Sequence, residues 1–164
     1  MTLRAVSLLS AVALAAFAVV AEAQTAKAAK PATAAPAAAK APVDTTIDVM
    51  AMGSTLEFAP AEISVKAGKR VRLRFMNHGT LPHNLVIAKA EDDIDALIAA
   101  SGMAYKTGYV PVELKDKMIG WTTLASPNQT VEFDFVAPPP GEYTYICLIS
   151  GHYNSMLGTL RTRK

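Results

Sequence analysis

Between Val71 and Phe75 the chain reads Val71-Arg72-Leu73-Arg74-Phe75, apolar and cationic by turns. A period of two puts the valine, leucine and phenylalanine on one face of a β-strand and both arginines on the other. A helix would scatter the same residues around its surface. The period returns in Thr46–Met52 and in Ile63-Ser64-Val65, and Val131–Val136, Tyr143–Cys147 and Leu157–Thr162 read as further strands, with proline and glycine between the runs. His83–Ala88 reads as a more fully buried strand and Trp121–Ala125 as a further one. Only Glu91–Ala100 suggests a helix. It has Glu91, Asp92 and Asp93 in its first turn, Ile94, Leu97 and Ile98 at offsets of three and four, and Ser101-Gly102 as a stop. Residues 103–119 read as irregular. Short strands divided by turns, with one helical excursion at about 91–101, predict an all-β fold. The expectation is a Greek-key antiparallel β-sandwich of seven or eight strands in two sheets.

The chain has 164 residues, enough for one such domain and an extension. The extension is at the front. Residues 1–23 have Arg4, then an uncharged apolar run from Ala5 to Val20, then Ala21-Glu22-Ala23 with small residues where a signal peptidase reads. We expect a signal peptide cut after Ala23, the alternative being an uncleaved segment that tethers the protein to the membrane. Residues 24–43 are almost wholly Ala, Lys, Pro and Thr, with no large apolar side chain before Val43 to form a core, and read as a solvated linker. The domain is expected at 44–164. The formal net charge is +2, but from Val43 onward 12 basic residues face 13 acidic ones. A folded part with no basic excess does not have the footprint of a nucleic-acid binder.

The only cysteine is Cys147. In an oxidising compartment a single thiol needs protection by burial, by an intermolecular disulfide or by a metal. Its surroundings favour the metal. Cys147-Leu148-Ile149-Ser150-Gly151-His152-Tyr153-Asn154-Ser155-Met156 leaves one strand, turns at Gly151 and enters the next. One loop thus carries a thiolate, an imidazole and a thioether. Soft sulfur ligands favour copper, and two histidines with a cysteine and a weak methionine make an electron-transfer copper site. The second imidazole fits His83, which follows a loop and Pro82 at the start of a buried strand. His78, in a polar Asn77-His78-Gly79 stretch, is the alternative and reads as an exposed loop residue. Structural zinc would want four cysteine or histidine ligands, and methionine is not in its usual set. A binuclear copper centre would need a second cysteine in the loop. Met50, Met52, Met76, Met103 and Met118 read as core or surface filler.

These residues resemble the blue copper (cupredoxin) family, of which azurin, auracyanin and plastocyanin are members. The Cys147-to-Met156 loop has azurin-like spacing. Asn77–Asn84 is similar to plastocyanin, whose first ligand histidine also lies in a Pro-His-Asn run. Phe58, Pro60, Ile63, Val65, Gly68, Val71 and Leu73 follow the family's early strands, and residues 89–120 occupy the place of azurin's helical flap. The resemblance spans roughly residues 45–162. It implies one copper ion per chain, with His83, Cys147 and His152 in a trigonal plane, Met156 as axial contact and a weak carbonyl contact from Pro82. It further implies that Asn84 ties the two ligand loops together by hydrogen bonds. The proline that such proteins carry two or three residues after the cysteine is missing. Leu148-Ile149-Ser150 stands there, so an extra backbone N–H is expected to reach the thiolate and raise the potential. The cysteines of azurin's disulfide are also missing.

The expected function is that of a periplasmic or otherwise exported electron carrier, not an enzyme. It would cycle between Cu(I) and Cu(II) and dock transiently with redox proteins as a monomer. An apolar rim of Leu81, Leu148, Ile149 and Tyr153 around His152 would serve that docking. The alternative is a copper chaperone, a class that uses exposed, methionine-rich sites without a buried thiolate. A copper oxidase or nitrite reductase would need further coppers, which three histidines cannot supply.

Overall fold

A computed structural model describes residues 42–164 of the chain. The expected signal peptide, and the linker up to residue 41, lie outside the described residues. Among the described residues eight strands form two sheets: β1 (Thr45–Gly53), β2 (Glu62–Lys66), β3 (Arg70–Gly79), β4 (Val86–Ala88), β5 (Met118–Trp121), β6 (Thr130–Val136), β7 (Gly141–Ile146) and β8 (Leu157–Arg163). One sheet has the order β1-β3-β6, the other β2-β8-β7-β4-β5.

The alternation in β3 does what its period demands. Val71, Leu73 and Phe75 are buried, and Arg72 and Arg74 face outward to form bidentate pairs with Asp134 of β6 and Asp48 of β1. The inward row meets Val49, Leu85, Ile87, Phe135, Tyr145 and Leu160 in the core between the sheets. Glycine is required at two close contacts, one between cross-strand partners of the larger sheet and one between the two sheets. A Cβ at Gly158 would collide with the Tyr145 ring, and one at Gly120 with the Phe133 ring.

Two strand pairs are parallel, β1 with β3 and β2 with β8, so the sheets are mixed rather than antiparallel throughout. The chain leaves β1, crosses to the other sheet for β2 and returns as β3, which supplies the crossover that a parallel pair needs. Alternation of apolar residues carries no information about strand direction.

Strand limits also differ in two places. The strand expected at His83–Ala88 is confined to Val86–Ala88, because Leu85 leaves the ladder to exchange bonds with Thr122: its N–H reaches Thr122 Oγ1 at 2.9 Å and its carbonyl takes the Thr122 N–H at 2.9 Å. The strand expected at Trp121–Ala125 runs instead from Met118 to Trp121. Gly120 has no side chain to mark the face that meets Phe133, and a register shift opposite it between Ile87 and Ala88 breaks the alternation.

Residues 89–117 cover the outer face of the larger sheet, so β4 is buried on both sides. They contain a 3-10 turn at Glu91–Asp93, the helix α1 (Ile94–Ser101) and 3-10 turns at Tyr105–Thr107 and Val112–Lys117. Leu97 and Val110 pack there against Val86, Met118, Ile146 and Leu148. Full burial of a leucine such as Leu97 stabilises the fold by about 2 kcal/mol. No helix among the described residues is long and apolar enough to cross a membrane.

Candidate metal centre

Cys147 follows the end of β7, and Met156 precedes β8. The Cys147 N–H donates to the Met156 carbonyl at 3.0 Å, which closes the loop across its base. Inside, the His152 N–H reaches the Ile149 carbonyl at 2.9 Å and the Met156 N–H reaches the His152 carbonyl at 2.8 Å. Gly151 has φ +84, the left-handed conformation that a glycine takes without strain. Cys147 and Met156 are completely buried and His152 half-buried.

His83 arrives from the middle of the sequence. Its backbone makes an isolated antiparallel bridge to Ala125, with N–H···O distances of 3.0 and 2.8 Å. Asn77 anchors the loop before it. Its Nδ2 donates to the carbonyls of Leu81 at 2.8 Å and Ala125 at 2.9 Å, and its Oδ1 accepts the Gly79 N–H at 2.9 Å. Sequence reading did not single out Asn77. The signal was present: it occupies the fourth inward position of β3, after Val71, Leu73 and Phe75, where a polar residue needs a reason.

Three donor atoms converge between these segments. His83 Nδ1 lies 3.2 Å from His152 Nδ1, and Cys147 Sγ lies 4.0 Å from the first and 3.7 Å from the second. A circle through the corners of that triangle has a radius of about 2.1 Å, against metal–imidazole bonds of about 2.0–2.1 Å and metal–thiolate bonds of about 2.3 Å. The donor set and its spacing therefore fit a single ion in a plane of two nitrogens and one sulfur. His78, the alternative imidazole, is not among the three. It lies exposed on β3, a strand residue rather than the loop residue expected.

Burial sets the electrostatics. It pushes the Cys147 thiol up to about 11, while backbone N–H groups of Asn84 and Ile149 directed at the sulfur work the other way. It lowers His83 to about 4, helped by the neighbouring His152, and lowers His152 as well. The pocket thus prefers neutral imidazoles and resists an unpaired thiolate, so a cation that takes the three donors must displace the thiol proton.

Asn84 is buried beside His83. Its Oδ1 accepts the Leu148 N–H at 2.8 Å and its Nδ2 donates to the Gly108 carbonyl at 2.7 Å. It joins the His83 segment to the cysteine loop and both to the segment that covers the larger sheet. Pro82 is exposed at the entry to His83. The rim around His152 differs from expectation in one residue. Leu148 is fully buried beneath α1 with Val86 and Ile146, because its N–H is drawn inward to Asn84, whereas Leu81 is 43% exposed and Ile149 and Tyr153 are half-buried.

A two-sheet β-sandwich closing at one end over two imidazoles and a buried thiolate defines the blue copper, or cupredoxin, class. Residues 45–162 match the family described as copper binding proteins of the plastocyanin/azurin family, and the chain belongs to that family. Its cofactor is copper, one ion per chain, and its members are electron-transport proteins. The chain is 37% identical to auracyanin-A of Chloroflexus aurantiacus over 118 residues, covering 70% of this chain and 72% of that protein. It is 33% identical to auracyanin-B of the same organism over 119 residues, covering 70% of this chain and 51% of that one. The solved structure of auracyanin A, a "blue" copper protein from that green thermophilic photosynthetic bacterium, superposes with a TM-score of 0.66 at 36% identity, covering 72% of this chain and 98% of the other.

Proposed function

We propose that this protein is an exported type 1 copper protein that carries single electrons between redox partners, with His83, Cys147, His152 and Met156 as its ligands. The convergence of three donor atoms within 4.8 Å of one another carries the reading. Bound copper supplies a one-electron couple between Cu(I) and Cu(II). The chain's own residues hold the donors still. The Ala125 bridge and Asn77 fix His83, the closed loop fixes Cys147 and His152, and Asn84 fixes one against the other. Donors held by the scaffold need little rearrangement when the charge of the ion changes. Burial of Cys147 and Met156 keeps water from the sulfur side. The carbonyl of Pro82 as an additional weak contact belongs to the same proposal.

Export rests on residues 1–23, read as a cleaved signal peptide, with 24–43 as the linker and 44–164 as the working domain. The partners are redox proteins that dock briefly over His152 on the small apolar rim of Leu81, Ile149 and Tyr153. Neither an enzymatic role nor nucleic-acid binding is part of this reading.

The test is the visible and electron-paramagnetic spectrum of the copper-loaded protein. We expect an intense blue band that is lost on reduction and returns on oxidation, and that Cys147→Ser abolishes while circular dichroism still reports the β-sandwich. A fully coloured Cys147→Ser protein would end the proposal.

A further inference from the structure

The outer face of the smaller sheet changes character along its length. In β1 and β3 the outward residues are Asp48, Met50 and Met52, and Arg72, Arg74, Met76 and His78. The parallel register sets Asp48 beside Arg74, Met50 beside Met76 and Met52 beside His78. The first rung is an ion pair. The next two rungs hold three thioethers and an imidazole, and no charge. Met52 is 54% exposed, His78 is exposed, and Met50 and Met76 are half-buried.

Surface strand positions favour β-branched, aromatic or polar side chains, and methionine in three of four places is an unusual use of them. Neighbouring strands lie about 4.8 Å apart, and residues two apart on one strand about 6.7 Å. Methionine has three rotatable bonds beyond its backbone, so thioethers on such a grid reach a common point above the sheet. The donors are soft and neutral, a set that selects Cu(I) over harder divalent ions. The rungs also lie at the ligand end of the sandwich. β1 and β3 stop at Gly53 and Gly79, and a Cβ on Gly79, one residue past His78, would lie 3.5 Å from His83 Nε2.

We infer that Met50, Met52, Met76 and His78 form a second metal site, selective for Cu(I), on the outer face of the sheet next to the buried centre. It is distinct from the ligand set proposed above and does not depend on it. No electron moves on binding: neutral thioethers and a neutral imidazole donate lone pairs to the ion.

The experiment starts from protein already loaded with one copper and reduced without oxygen. Cu(I) is then titrated against a chromophoric Cu(I) chelator, and in parallel Ag(I), which has no accessible redox change, is followed by the methionine methyl resonances. We expect one further equivalent, with the methyls of Met50, Met52 and Met76 shifting together while those of Met103 and Met118 stay in place. Replacing the three methionines by leucine, which conserves volume, should weaken that equivalent about tenfold or more, and His78→Gln alone should weaken it less. The blue band of the primary centre should be unchanged in both variants. Two results would overturn the inference: no further equivalent in the parent protein, or one that survives the triple leucine replacement at full affinity. The Ag(I) shifts read the outer face directly, so they separate its failure from failure of the buried centre.

Discussion

The loop from Cys147 to Met156 is held mostly by bonds within itself, whereas the segment bearing His83 is held by residues far away in sequence. The loop supplies its own backbone partners at Ile149, His152 and Met156. His83 depends on Ala125, 42 residues further on, and on Asn77, which bonds that same residue. The loop therefore brings Cys147 and His152 together wherever β7 and β8 are paired, but the second imidazole joins them only if strands of both sheets are in place. The difference gives the two halves of the site different weaknesses.

Removing Asn77 should produce the largest effect. Asn77→Ala leaves the Leu81 and Ala125 carbonyls and the Gly79 N–H without their side-chain partner in a buried place. Leaving buried groups of this kind unpaired costs about 3 kcal/mol. The loss should appear in the urea midpoint of the metal-free protein, together with weaker copper binding. If Asn77→Ala were as stable as the parent and bound copper as tightly, distant anchoring of His83 would be disproved.

The contrast extends to pH in the metal-free protein. His83 titrates at about 4 in the fold against an ordinary 6.5, so the unfolded chain binds more protons between those values. Stability from the buried neutral ring is complete above pH 6.5 and is lost as pH falls toward 4. Cys147 titrates at about 11 against 9.0, so stability from the buried thiol is complete below pH 9 and is lost as pH rises toward 11. Unfolding midpoints should thus form a plateau between roughly 6.5 and 9, with a fall on the order of 2 kcal/mol at each edge. Cys147→Ser should remove the part of the alkaline fall that begins near pH 9, and leave the acid fall and the later alkaline loss from the buried Tyr145 hydroxyl, which burial also pushes up. A Cys147→Ser protein whose midpoint still begins to fall near pH 9 would show that the thiol does not cause that onset.

How much was legible in the sequence follows the same division. Local order is written in local spacing, so the cysteine loop, the helix over 91–101 and the alternation of β3 could be read directly. His83 could be chosen over His78 only by its place after Pro82 and before an apolar run. The bridge to Ala125 left no trace, because an alanine whose backbone pairs with a histidine looks like any other. Strand direction was hidden for a related reason, since alternation is the same in a parallel and an antiparallel pair. Leu148 was misread as rim because hydropathy does not say which side of a loop a leucine takes; its N–H, bound to Asn84, decides that. Met50, Met52 and Met76 read as filler and His78 as a loop residue because the four become neighbours only through the register of β1 and β3.

The smallest effect tests the point at which the two segments share one atom. The Cys147 sulfur is approached by the N–H of Asn84 from the His83 side and by the N–H of Ile149 from within the loop. Both donors stabilise negative charge on sulfur. The site carries one more negative charge in its reduced form, so each donor favours reduction and raises the potential. Proline has no N–H, so Ile149→Pro deletes the loop's donor while that of Asn84 stays, along with every proposed ligand. We expect a blue protein with a lower reduction potential, a small change in unfolding midpoint, and little change of either kind in Ile149→Val, which keeps the N–H. Cyclic voltammetry of the two variants decides the matter. A proline variant whose potential matches that of the valine variant would mean that the donor from the His83 side alone sets the charge on the sulfur.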